Sequence, residues 1–203
     1  MSESFVQVQP DSTGKKIRTR QRVIGANTVE EQYTVESTMP TYYAYADAVS
    51  FAANKQHISI FNGVGSGKII KIKKMFIVNL ALAAITGVAV RFDIKKTTAQ
   101  SGGTAITAQI VDPDDPALPA QILIATNATV TEGALLFPIT CANDEVGLTQ
   151  NFPSTLLLQA VNWMPEGLEI KELKLKEGQG MTVKQITSTT VGSFGWLIVF
   201  VVE

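Results

Sequence analysis

The chain has 203 residues, with 17 Lys+Arg against 18 Asp+Glu and a formal net charge of −1. Hydrophobic residues make up 45% and charged residues only 17%, which excludes a chain disordered throughout, because disorder needs low hydrophobicity and high net charge. The charge balance excludes a globally basic nucleic-acid binder, and a single Cys with a single His excludes a disulfide framework, a Cys-rich zinc site and paired-His metal motifs.

The opening MSESFVQVQPDSTGKK lacks a charged region followed by an apolar one, so no secretory signal is expected. The apolar run from Met75 to Val90 is interrupted by Asn79, Thr86 and Gly87 and bounded by Lys74 and Arg91. It falls short of the ~20 apolar residues of a spanning helix and reads as buried strand. No membrane partner is expected.

Residues 1–40 are polar and read as an extended N-terminal arm. Lys16, Arg18, Arg20 and Arg22 occupy alternate positions, and alternate side chains of an extended chain share a face. These four are the candidate docking residues, set to meet an acidic protein surface. Residues 41–56, with Tyr42, Tyr43, Tyr45 and Phe51, read as a helical or irregular linker.

Residues 57–203 read as a β-sandwich domain. His57–Phe61 is a short strand, and Asn62-Gly63 signals a hairpin turn. Strand character follows from Lys68 to Leu80, with Ile70 and Ile72 inward and Lys71 and Lys73 outward. Val88, Val90, Phe92 and Ile94 fall on one face, with Arg91 and Asp93 opposite. Ser101-Gly102-Gly103 is a loop tip. Asp112 to Pro119 holds three prolines and is a surface loop, since Pro lacks the ladder donor. Further strands are expected at 121–125, 135–140, 156–161, 168–175, 181–187 and 195–202. Short strands between Gly, Pro and Asn loops predict an all-β, jelly-roll-like antiparallel β-sandwich.

Familiar catalytic patterns fail here. In Gly63-Val64-Gly65-Ser66-Gly67-Lys68-Ile69 only three residues separate Gly63 from Gly67, and no Ser or Thr follows Lys68. A phosphate-binding loop needs four residues between the glycines and that hydroxyl for magnesium. His57 is the only imidazole and has no recognisable nucleophile beside it. Cys141 reads as a buried apolar residue. Asp112, Asp114 and Asp115 lack the central Gly and distal Glu of a calcium loop. Trp163 reads as packing, as does Trp196 in its apolar strand. No catalytic residue, cofactor or metal site is therefore expected.

Two segments carry a resemblance. Asp11-Ser12-Thr13-Gly14-Lys15-Lys16-Ile17-Arg18-Thr19 and Thr28-Val29-Glu30-Glu31-Gln32-Tyr33 resemble the N-terminal part of tailed-bacteriophage virion proteins. Gly178-Gln179-Gly180-Met181-Thr182-Val183-Lys184-Gln185 and Val191-Gly192-Ser193-Phe194-Gly195-Trp196-Leu197-Ile198-Val199-Phe200 resemble the same group. The resemblance implies a non-enzymatic structural protein located in the virion, most concretely a capsid decoration or cement protein. Its partners would be other virion proteins, the major capsid protein or tail proteins, and it would form a homo-oligomer, a trimer by the same resemblance. A tail, baseplate or head–tail junction component is the alternative within that class. A host-surface or glycan-binding protein, making contact through loops such as Asp112–Pro119, is the alternative of another class. Nucleic acid is the rival partner for the basic stripe and is disfavoured by the overall acidity.

Overall fold

The computed structural model describes residues 19–24, 27–32, 39–79, 88–143, 158–160 and 173–203. Its strands are β1 (Thr19–Ile24), β2 (Asn27–Gln32), β3 (Thr41–Ser50), β4 (Gln56–Asn62), β5 (Ile70–Asn79), β6 (Val88–Ser101), β7 (Thr104–Ala105), β8 (Gln109–Ile110), β9 (Ile122–Thr126), β10 (Thr129–Asn143), β11 (Leu158–Ala160), β12 (Leu173–Leu175), β13 (Gln179–Gln185) and β14 (Ser193–Val202). No helix occurs among the described residues. The chain divides into two compact units, Met1–Thr38 and Met39–Glu203. In the first, β1 and β2 pair antiparallel, with Arg20 opposite Glu31 and Arg22 opposite Val29. Residues 19–24 and 27–32 are thus strands that pair with each other.

The second unit is built as a nested hairpin. β3 pairs with β14, β4 with β13, β5 with β11 and β12, and β6 with β10, all antiparallel. Folding that long ribbon over on itself adds the contacts β14–β5 and β13–β6. Two sheets result: β11–β5–β14–β3–β8, with β12 also on β5, and β10–β6–β13–β4–β9–β7. The first is sheet I and the second sheet II. This connectivity is that of a jelly roll. The insert between β6 and β10 supplies β7, β8 and β9, which extend one edge of each sheet.

The linker expected over 41–56 is instead strand β3 and the entry to β4. Its inward positions, Tyr42, Ala44 and Ala46, are buried, while Tyr43 and Tyr45 face outward. The hairpin expected at Asn62-Gly63 is also absent, because β4 lies in sheet II and β5 in sheet I. The segment crosses between sheets. Gly63 is required there: a Cβ would lie 2.5 Å from the Gln121 carbonyl oxygen.

The core lies between the sheets. Sheet I contributes Ile70, Ile72, Met75, Ile77, Trp196, Ile198 and Phe200, and sheet II contributes Ile58, Ile60, Val90, Phe92, Ile94, Met181 and Val183. Each fully buried side chain of this kind stabilises the fold by about 1.5–3 kcal/mol. One extra residue in β5 switches its inward parity. Val199 pairs with Lys74 but Phe200 pairs with Ile72, so Lys73 bulges and the inward set passes from Ile70 and Ile72 to Met75 and Ile77. β10 is the long outer strand of sheet II, 15 residues in length, and among the described residues it pairs only with β6. Pro138 and three register shifts near Leu135 interrupt it, which are common guards against edge-to-edge aggregation.

Candidate functional site

His57 is set by a bulge. Val183 pairs with Ile58 and Lys184 with Gln56, so His57 is the extra residue and its ring turns into the core. It is fully buried. The rings of Phe51, Phe92 and Trp196 stand 5.9, 4.9 and 6.2 Å from it. Trp196 Nε1 donates to His57 Nδ1 at 3.3 Å. An accepting Nδ1 places the proton on Nε2, which donates to Gln185 Oε1 at 3.0 Å. The same Gln185 oxygen accepts the Ala52 amide at 2.9 Å. Its amide nitrogen donates to the Thr187 and Thr189 carbonyls at 2.8 and 2.7 Å. Burial drives the imidazole pKa down to about 4, against the upward effect of Gln185 and with the further lowering by Lys55. A neutral, sealed and fully bonded imidazole ties the two sheets together. It offers no proton to a substrate.

Cys141 stands opposite Val90 at the β10 edge. Burial pushes its thiol up to about 11, so it is protonated at neutral pH. β6 and β13 lie between β10 and β4. At roughly 4.8 Å per strand, Cys141 and His57 are far beyond the reach of a dyad.

The glycine-rich loop is filled from within the chain. Gly65 and Gly67 adopt left-handed φ values of 84° and 65°, which glycine tolerates best. Their amides both donate to the Glu177 carboxylate, Gly65 at 3.4 Å. Ser66 Oγ donates to Asn62 Oδ1 at 2.6 Å, and the Asn62 amide donates to the Lys68 and Leu175 carbonyls. The place a phosphate would take is held by an internal carboxylate.

The outward face of sheet II carries a polar network. Glu132 accepts from Lys95 at 2.7 Å and from Lys184 at 2.6 Å. Gln56 donates to Glu132 at 3.2 Å and accepts from Thr182 at 2.7 Å. Burial alone would raise the Glu132 carboxyl, but the two ammonium groups outweigh it and hold the pKa below its usual value.

The acidic loop is a tight turn. Asp115 N–H donates to the Asp112 carbonyl at 2.9 Å, Asp114 N–H to Asp112 Oδ1 at 3.1 Å, and Thr41 N–H to Asp115 Oδ2 at 3.1 Å. Two of its carboxylates therefore organise the turn and tie it to β3. Among the described residues no group of three or more metal-ligating side chains occurs.

Of the candidate docking residues, Lys16 and Arg18 lie outside the described residues, as does Trp163. Arg20 and Arg22 occupy alternate positions of β1. Gln185, Glu177 and Glu132 were not identifiable from local sequence: each meets partners on strands or loops distant along the chain. Comparison with protein-family models, with curated proteins and with solved structures finds no match to this chain.

Proposed function

We propose that this chain is a non-enzymatic structural protein of a tailed-phage particle, most concretely a capsid decoration or cement protein. The observation that carries the reading is the jelly-roll connectivity of the body, an architecture frequent in viral shells. The resemblance of both ends of the sequence to virion proteins points the same way. In this reading the body stands on the shell and the N-terminal unit docks on neighbouring subunits. The basic positions 16, 18, 20 and 22 meet carboxylates there. Three of the four are Arg, which suits planar, bidentate carboxylate recognition. Exposed pairs contribute only ~0–1 kcal/mol each, so several act together with backbone pairing.

The test is localisation. Antibody-gold labelling of purified particles should decorate the head surface at high copy number. A body lacking residues 1–38 should fold and fail to join the particle. Label confined to the tail, or full decoration by the truncated protein, overturns the decoration role.

A further inference from the structure

The two outward sheet faces differ in kind. On sheet II the charges are neutralised within the chain, through Glu132, Lys95 and Lys184. On sheet I the outward positions of the middle strands are mainly apolar, with Asp47 on β3 accepting from the Tyr45 hydroxyl at 3.2 Å. Tyr45, Leu197 and Phe76 form one cross-strand row, and Tyr43, Val199 and Lys74 form the next. Tyr43 and Tyr45 are each 38% exposed. Tyrosines on an apolar field with a charged rim mark an interaction surface.

The rim is polarised. The third row runs Thr41, Val201, Lys71 and Lys174, with the two lysines directly opposite each other. Like charges placed so are unfavourable without a counter-charge. Lys71 has one in Glu203. Lys174 and Lys74 are exposed and have no carboxylate partner among the described residues. At the other end of that row, the turn Asp112–Asp115 is tied to Thr41 through Asp115 and through the Val111 amide. Asp112 and Asp114 are exposed there. One edge of the face is basic and the other acidic, at the same height along the strands.

A two-fold axis parallel to the strands, placed above this face, carries the acidic edge of one copy onto the basic edge of the other. It does so twice, and it buries the apolar rows between them. We infer that sheet I is a self-complementary interface through which two copies of this chain pair face to face, Asp112 and Asp114 of each meeting Lys74 and Lys174 of the other around Tyr43, Tyr45, Phe76, Leu197 and Val199. Isologous two-fold pairing is the commonest closed assembly. A net charge of −1 leaves little repulsion between copies. This pairing differs from the trimer implied by the virion resemblance and is independent of where the protein resides.

Analytical ultracentrifugation of the full chain across the micromolar range tests it. A monomer–dimer equilibrium that weakens with salt is expected. Tyr43→Ser with Tyr45→Ser should give monomer. Lys174→Glu or Asp114→Lys alone should weaken pairing about tenfold, and the two together should restore most of it. Unchanged melting of each variant shows that the fold is intact. A monomer at every concentration, a trimer, or a dimer indifferent to these substitutions overturns the inference.

Discussion

Trp196 on β14 donates its indole N–H to Nδ1 of His57 on β4 at 3.3 Å, a side-chain hydrogen bond that crosses from one sheet to the other. It fixes the imidazole as the Nε2–H tautomer, and that proton is committed to Gln185. A protonated ring cannot accept the indole hydrogen.

Acid should therefore loosen the sandwich through this residue. The folded imidazole titrates near 4, chiefly because it is buried, and the unfolded one near 6.5. The unfolded chain binds the proton first. Stability from this group is complete above 6.5 and falls as pH drops to about 4, by roughly 3 kcal/mol. Urea titrations across that window should show the slope in the wild type and lose it in His57→Gln. An identical slope in the variant would show that another group is responsible.

Thr97 is 1% exposed and its hydroxyl finds no hydrogen-bond partner among the described residues. A buried unsatisfied hydroxyl costs about 1–3 kcal/mol, and Val has nearly the same shape. Thr97→Val should raise the urea midpoint, by about 1 kcal/mol in stability. A loss of stability would mean that a bound water satisfies the hydroxyl.

Gly180 on β13 has no room for a side chain. A Cβ there would lie 2.5 Å from the Ile60 carbonyl oxygen and from Thr97 Oγ1, and 2.8 Å from the Phe61 ring. Two of these neighbours are fixed by sheet pairing. Gly180→Ala should cost about 2–3 kcal/mol, read as a lower melting temperature. A melting temperature equal to wild type would show that β4 and β13 can separate freely at this point.

Glu132→Gln leaves Lys95 and Lys184 without their shared carboxylate. Because Glu132 is held below its usual pKa, its contribution is present above the unfolded value of 4.5 and fades as acid protonates it. The group is partly solvated, so the neutral variant should cost only about 1 kcal/mol at neutral pH, and less at high salt. Chemical denaturation at two ionic strengths measures this, and a salt-independent cost would point to packing instead.

The strands that were legible in the sequence are those whose inward residues are bulky. Val90, Phe92 and Ile94 alternate with Arg91 and Asp93, and the chain buries them as that pattern demands. β3 was hidden for the opposite reason. Its inward residues include Ala44 and Ala46, while bulky Tyr43 and Tyr45 face out, so hydrophobicity and burial run against each other. Asn62-Gly63 marked a change of direction correctly, but a turn signal cannot say whether the next strand joins the same sheet. The His57 setting depends on Gln185 and Trp196, 128 and 139 residues away, which no local pattern reveals.

The nesting of β3 with β14 has a consequence for biosynthesis. The body's first strand emerges from the ribosome with its partner still untranslated, and β4 likewise waits for β13. Until β14 clears the exit tunnel, Tyr42, Ile58 and Ile72 have no lid, and the nascent chain exposes apolar ribbon. Closure is therefore a late event, slowed by the large loops it must bring together. Apolar surface exposed for that interval is prone to aggregate, which is the hazard chaperones counter.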